Sequence, residues 1–252
     1  MGKRRDRRFT HLRSHLTLHY DVIQGLAIED SLPGHLLKPF RQHCRALFLA
    51  VAAMTLLLCA CDRPQASRAD TSAIDVISSP RQERIDQPSS IRREIDGFDL
   101  KIVLKARYTL GGIIVGVERY RMGMAGKLAP YDVAVVWGKL VEQDRYRRIS
   151  WSQDDRWYVW RLEREADFGT DMIIRNSSNN HLIPANDNLR KAIGLLKQGE
   201  RAEIRGFLVD VEGKKGDSWY RWSSSLSRED SGSGACEVIY LTGLKTGGKV
   251  YE

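Results

Sequence analysis

Phe98-Asp99-Leu100-Lys101-Ile102-Val103-Leu104-Lys105 sets Phe98, Leu100, Ile102 and Leu104 at every second position, with Asp99, Lys101 and Lys105 between them. A period of two is the spacing of a strand with one buried face. Reading toward the C-terminus, Gly111-Gly112 predicts a turn and Ile113 to Tyr120 a returning strand. Pro130-Tyr131-Asp132 opens an apolar run that ends at Trp137. Pro and Asp suit the first turn of a helix, while Val133, Val135 and Val136 suit a strand, and both readings stay open. Tyr146 to Ser152 and Arg156 to Leu162 flank Gln153-Asp154-Asp155 as a hairpin.

Asn186 is the predicted N-cap of a helix through Lys197, with Leu189, Ile193 and Leu196 on one face and Gly199 ending it. Ala202 to Val211, Trp219 to Leu226 and Cys236 to Leu241 follow as strands, the first two joined across Gly213-Lys214-Lys215-Gly216-Asp217. The expected class is mainly β with one or two helices (α+β). Short strands around one helix predict a small OB- or SH3-like barrel.

Upstream of this core the composition changes. Residues 62–96 are rich in Ser, Arg, Asp, Gln and Pro and carry no sustained period, a linker composition. Such a coil reaches roughly 30–35 Å on average and would hold the folded part clear of a membrane. Further upstream, Ala46 to Ala60 is 15 residues without a charge, preceded by Lys38, Arg41 and Arg45. As a helix it spans about 22 Å, short of the roughly 30 Å hydrocarbon core. A cationic lead, a short apolar run and a small residue before the cut form the pattern of a signal peptide. Leu58-Cys59-Ala60-Cys61 resembles the bacterial lipobox, which implies cleavage before Cys61 and lipidation of that thiol. Asp62 resembles the retention signal of inner-membrane lipoproteins. The expectation is a cell-envelope protein facing the periplasm, lipid-anchored through Cys61, with the inner membrane favoured.

The expected division is therefore 1–37, an N-terminal extension; 38–60, a lipoprotein signal peptide; 61–96, the lipidated Cys and a flexible linker; 97–246, one globular β-rich domain; and 247–252, a tail. The basic lead Met1-Gly2-Lys3-Arg4-Arg5-Asp6-Arg7-Arg8 is long for a signal peptide. Either translation starts later, near Leu36 or Leu37, or the extension is genuine.

Charge placement bears on partners. The formal net charge of +8 invites a nucleic-acid reading, but residues 1–60 hold 9 Lys/Arg against 4 Asp/Glu. The part after the predicted cut holds 31 against 28, a net of +3, so nucleic acid is an unfavoured partner. Five of the six His also precede Cys61, leaving His181. With Cys236 as the remaining thiol, neither a disulfide framework nor an all-Cys/His zinc site can be assembled there, and no cofactor or metal is expected.

Three features are candidates for chemistry. Trp137, Trp151, Trp157, Tyr158, Trp160, Trp219, Tyr220 and Trp222 cluster on predicted strands. They read as core packing first and as a stacking platform for a glycan or single-stranded nucleic acid second. Ser177-Ser178-Asn179-Asn180-His181 is read as a polar loop. His181 could be a general base with a carboxylate partner, yet no G-x-S-x-G elbow accompanies it, and a hydrogen-bonded structural histidine is favoured. The segment from Ser223 to Glu237, with Arg228, Glu229, Asp230 and two glycines, is read as a loop that could offer an anion nest or carboxylates.

Asn180-His181-Leu182-Ile183-Pro184-Ala185, with Trp222-Ser223-Ser224-Ser225-Leu226-Ser227-Arg228-Glu229-Asp230 and Gly234-Ala235-Cys236-Glu237, resembles a family of proteobacterial envelope or membrane-associated proteins. The resemblance covers most of residues 98–245 and implies a single domain with no assigned activity. The functional expectation is a non-catalytic binding module held at a membrane by lipid on Cys61 and contacting an envelope protein. Asn180, His181, Trp222, Arg228, Glu229 and Asp230 are its candidate ligand residues. An envelope hydrolase using His181 and an OB-type oligonucleotide or glycan binder are the alternatives.

Overall fold

The computed structural model describes residues 63–87, 89–227 and 236–252, within a compact unit spanning Asp62–Glu252. Among these residues the strands are β1 (Arg68–Ala69), β2 (Arg81–Arg84), β3 (Ser90–Ile95), β4 (Phe98–Arg119), β5 (Tyr131–Val136), β6 (Ile149–Asp154), β7 (Trp157–Leu162), β8 (Ser177–Pro184), β9 (Arg201–Lys215), β10 (Ser218–Ser223), β11 (Glu237–Thr246) and β12 (Lys249–Tyr251). The helices are α1 (Gly123–Leu128), α2 (Thr170–Arg175) and α3 (Asp187–Ile193), with 3₁₀ turns between β5 and β6.

Strands β4, β5, β8, β11 and β9 close into a ring, because β11 pairs with β9 as well as with β8. All neighbours are antiparallel except β8 and β11, which run parallel from Asn180 beside Glu237 to Pro184 beside Leu241. The fold is thus mainly β and barrel-like, as the alternating patterns predict. Inward-facing Tyr108, Leu110, Val133, Val135, Leu182, Ile204, Leu208 and Ile239 fill the ring, and Leu189, Ala192 and Ile193 of α3 pack into the same cluster.

Strand β4 organises the barrel. Leu100, Ile102 and Leu104 are buried on the face that the period of two marked out. Gly111-Gly112 is not a turn, however, and the 22-residue strand runs straight through it. Both glycines keep ordinary backbone dihedrals, and their role is close approach. A Cβ on Gly111 would lie 2.0 Å from the Asp75 carbonyl oxygen, and one on Gly112 2.4 Å from Val135 Cγ1. The open choice at 130–137 resolves as strand: β5 is buried along its whole length.

Asn186 caps α3, its side chain accepting the Leu189 N–H at 2.9 Å. The helix ends at Ile193, short of the expected Lys197, and Leu196 still reaches the core from the turns that follow. The hairpin β6–β7 turns at Asp155-Arg156, both at positive φ (44° and 72°), one step later than expected.

The expectation of a flexible linker over 61–96 is overturned for its described part. Gln65 N–H donates to Asn188 Oδ1 at 2.7 Å, Ser67 N–H to the Val250 carbonyl at 2.7 Å, and β2 and β3 line β4. β2 is exposed throughout and β3 alternates between exposed and half-buried, so this edge is held by backbone bonds that leave little mark on composition. The expected tail, 247–252, instead carries strand β12, with Val250 and Tyr251 buried.

Asp70 fastens this strap: its Oδ1 takes Lys245 Nζ at 2.8 Å and the Ser72 hydroxyl at 2.6 Å. Hydrogen bonds from Lys245 and Ser72 hold its carboxyl well below the usual carboxylate range. A depressed folded value stabilises above the ordinary pKa of about 3.9, and that contribution is lost as pH falls. Urea melts at pH 6 and pH 3 are therefore expected to show a smaller acid loss of stability in Asp70→Asn than in the native protein.

Candidate functional site

β5 and β8 pair in a register that sets Asp132 opposite His181, Ala134 opposite Asn179 and Val136 opposite Ser177. These residues share the outer face, while Val133, Val135, Leu182 and Asn180 alternate to the other. An acid in an apolar run and a histidine in a polar one thereby meet. His181 Nδ1 lies 2.8 Å from Asp132 Oδ1, with side-chain exposures of 4% and 1%. Arg156, at the hairpin turn, donates from Nη1 to the same Oδ1 at 2.8 Å and to the Ala129 carbonyl at 2.9 Å. The approach of His181 is off the hydrogen-bonding direction: Nδ1 and Asp132 Oδ2 are both buried without a hydrogen-bond partner.

Rings close the cluster. Trp222 of β10 tilts over the imidazole with centroids 4.6 Å apart. The Arg156 guanidinium stands 3.7 Å from the Tyr120 ring centroid and 5.5 Å from that of Trp222. Tyr120 Oη accepts the Arg156 backbone N–H at 2.9 Å. Burial raises the Tyr120 hydroxyl above its ordinary pKa, and the same cause pushes Tyr220, edge-on to Trp222, up to about 12, so both stay protonated donors.

Hydrogen bonds then rivet the hairpin to the barrel. Gln153 Nε2 donates to Asn179 Oδ1 at 2.8 Å, Asn179 Nδ2 donates to the Arg156 carbonyl at 3.0 Å, and Tyr158 and Ser177 hydroxyls meet at 3.3 Å. Below this polar row, Tyr146, Ile149, Phe168 and Ile173 bury the outer face of β4 and β5. The arrangement is a charged lock between three elements. It sets a carboxylate beside a histidine, as a triad does, but without the orienting hydrogen bond between them, and the strand hydroxyls are committed: Ser177 donates to the Ile173 carbonyl at 2.6 Å and Ser178 to Asn180 Oδ1 at 3.1 Å.

The candidate residues separate accordingly. Ser177 to His181 is not a loop but the fully buried strand β8. Asn180 faces away from His181 and donates to the Val133 carbonyl at 2.9 Å, so it offers nothing to a ligand. His181 and Trp222 do come together. Arg228, Glu229, Asp230 and Cys61 lie outside the described residues. Tyr120, Asp132, Gln153 and Arg156 were not singled out by the sequence as site residues, while Asn179 lay in the polar segment that was; the one further pointer was Asp132, a charge inside an apolar strand.

The aromatic cluster divides in the same way. Trp137 is fully buried, and Trp151 stacks on Tyr158 with centroids 6.2 Å apart. Trp157 and Trp219 are exposed at 44% and 75%. Compared with protein-family models, with curated proteins and with solved structures, the chain matches none.

Proposed function

We propose that this chain is an exported lipoprotein, cut before Cys61 and acylated there, whose barrel is a non-catalytic interaction module at the periplasmic face of a membrane. The observation that carries the reading is a coincidence of boundaries. The lipobox-like Leu58-Cys59-Ala60-Cys61 ends where the compact unit Asp62–Glu252 begins, so cleavage there leaves that unit whole.

Interaction rather than turnover is supported by the outer face of β5 and β8. The ring order, with a parallel pair closing it and α3 between β8 and β9, is compatible with the OB type. Such barrels bind oligonucleotides or sugars on their second and third strands, which correspond here to β5 and β8. In this chain that face is filled by Gln153, Arg156 and Trp222 of its own. Contacts with a partner fall instead to exposed apolar groups such as Trp219, with Lys214 Nζ 5.2 Å from its ring.

Cell fractionation tests the proposal. The native protein is expected in membranes, resistant to a high-salt wash and released by detergent, and Cys61→Ser is expected to lose that association. Native protein recovered in the cytosol would overturn it. A second reading, an envelope hydrolase in which Asp132 orients His181, is favoured by their 2.8 Å contact. It requires that His181→Ala abolish turnover while the fold is retained.

A further inference from the structure

We infer that the end of the barrel carrying Gln65, Asn188 and Glu252 is the surface that rests on the lipid headgroups of the membrane, an inference that rests on acylation of Cys61. Its basis is the shortness of the free chain. Asn188 brackets Gln65, its Oδ1 accepting the Gln65 N–H at 2.7 Å and its Nδ2 donating to the Gln65 carbonyl at 2.9 Å. The same amide donates to the Glu252 carbonyl at 3.2 Å, and Ser67 N–H donates to the Val250 carbonyl at 2.7 Å. The polypeptide is thus fixed to the domain from Gln65 onward. Four Cα–Cα steps separate Gln65 from Cys61, which at full extension is about 14 Å. A lipid on Cys61 therefore holds this end within reach of the headgroups, where a free 35-residue coil would have let the domain drift and tumble.

Charges of both signs meet at this end: Arg68 is paired with Glu252 at 3.5 Å and Lys245 with Asp70 at 2.8 Å, and Lys249 is exposed on β12. The anchored end also fixes what points outward. β9 starts beside it, Ala202 pairing with Thr246 just before β12, and runs 15 residues to Lys215. At about 3.3 Å per residue that is some 45 Å of strand contour around the barrel wall before the β9–β10 hairpin, so Trp219 stands off from β12 along that strand.

Fluorescence transfer from single labels to a headgroup-labelled lipid tests the orientation. The acylated protein, with Cys236→Ser as background and a label at Lys249→Cys or Asp217→Cys, is placed in phosphatidylethanolamine/phosphatidylglycerol vesicles. Transfer is expected to be several-fold stronger from position 249 than from 217. A 20-residue Gly-Ser insertion after Asp62, with a coil length of about 25 Å, is expected to reduce the difference. Equal transfer from both positions on protein whose mass shows acylated Cys61 would overturn the orientation alone. A mass showing unmodified Cys61 would instead remove the lipoprotein reading and this inference with it.

Discussion

Replacing Asp132 with alanine is expected to lower the unfolding free energy by about 3–5 kcal/mol, the range for removing one partner of a buried ion pair. The carboxylate is 1% exposed and meets both the Arg156 guanidinium and His181 Nδ1 at 2.8 Å. Without it the guanidinium, 20% exposed, keeps its charge with only the Ala129 carbonyl and two aromatic faces to balance it. Arg156 sits at the hairpin turn, so the loss should spread to the β6–β7 attachment. Hydrogen exchange should show Trp157 to Leu162 opening more readily. In a denaturant-melt cycle with Arg156→Ala, the double variant is expected to be more stable than the sum of the two single losses. Strict additivity would show that Asp132 and Arg156 do not act as one lock.

Trp137→Ala is expected to cost about 3–5 kcal/mol, the range for deleting a buried Trp. The side chain is fully buried at the end of β5, in the cluster that fills the barrel. Its Nε1 has no hydrogen-bond partner, so the stabilisation comes from packing. Trp137→Phe, which keeps most of the volume and drops the N–H, is therefore expected to stay within about 1.5 kcal/mol of the native protein. If both substitutions cost the same in urea melts, a polar contact rather than burial would have to hold the ring.

What could be read from the sequence follows the physics of each segment. The alternation in Phe98 to Lys105, the Asn186 cap and the Gln153-Asp154-Asp155 turn region are local signals, and each corresponds to an element close to its expected place. Gly111-Gly112 was misleading because glycine serves turns and close approaches alike; only the neighbouring Asp75 and Val135 distinguish them. β1, β2 and β3 were hidden because edge strands bonded through the backbone need no apolar run. The site was half legible. His181 and Trp222 stood out by residue type, but the barrel register supplied Asp132 and the hairpin supplied Arg156, residues 49 and 25 positions away from His181. The same register turned Asn180 inward, which no composition or motif could indicate.

The mass of the intact protein extracted from membranes decides whether the thiol at position 61 is acylated. The expected species begins at Cys61 and carries a thioether-linked diacylglycerol on that residue. A polypeptide that retains residues 1–60 and an unmodified sulfur at Cys61, recovered from the soluble fraction, would contradict the account.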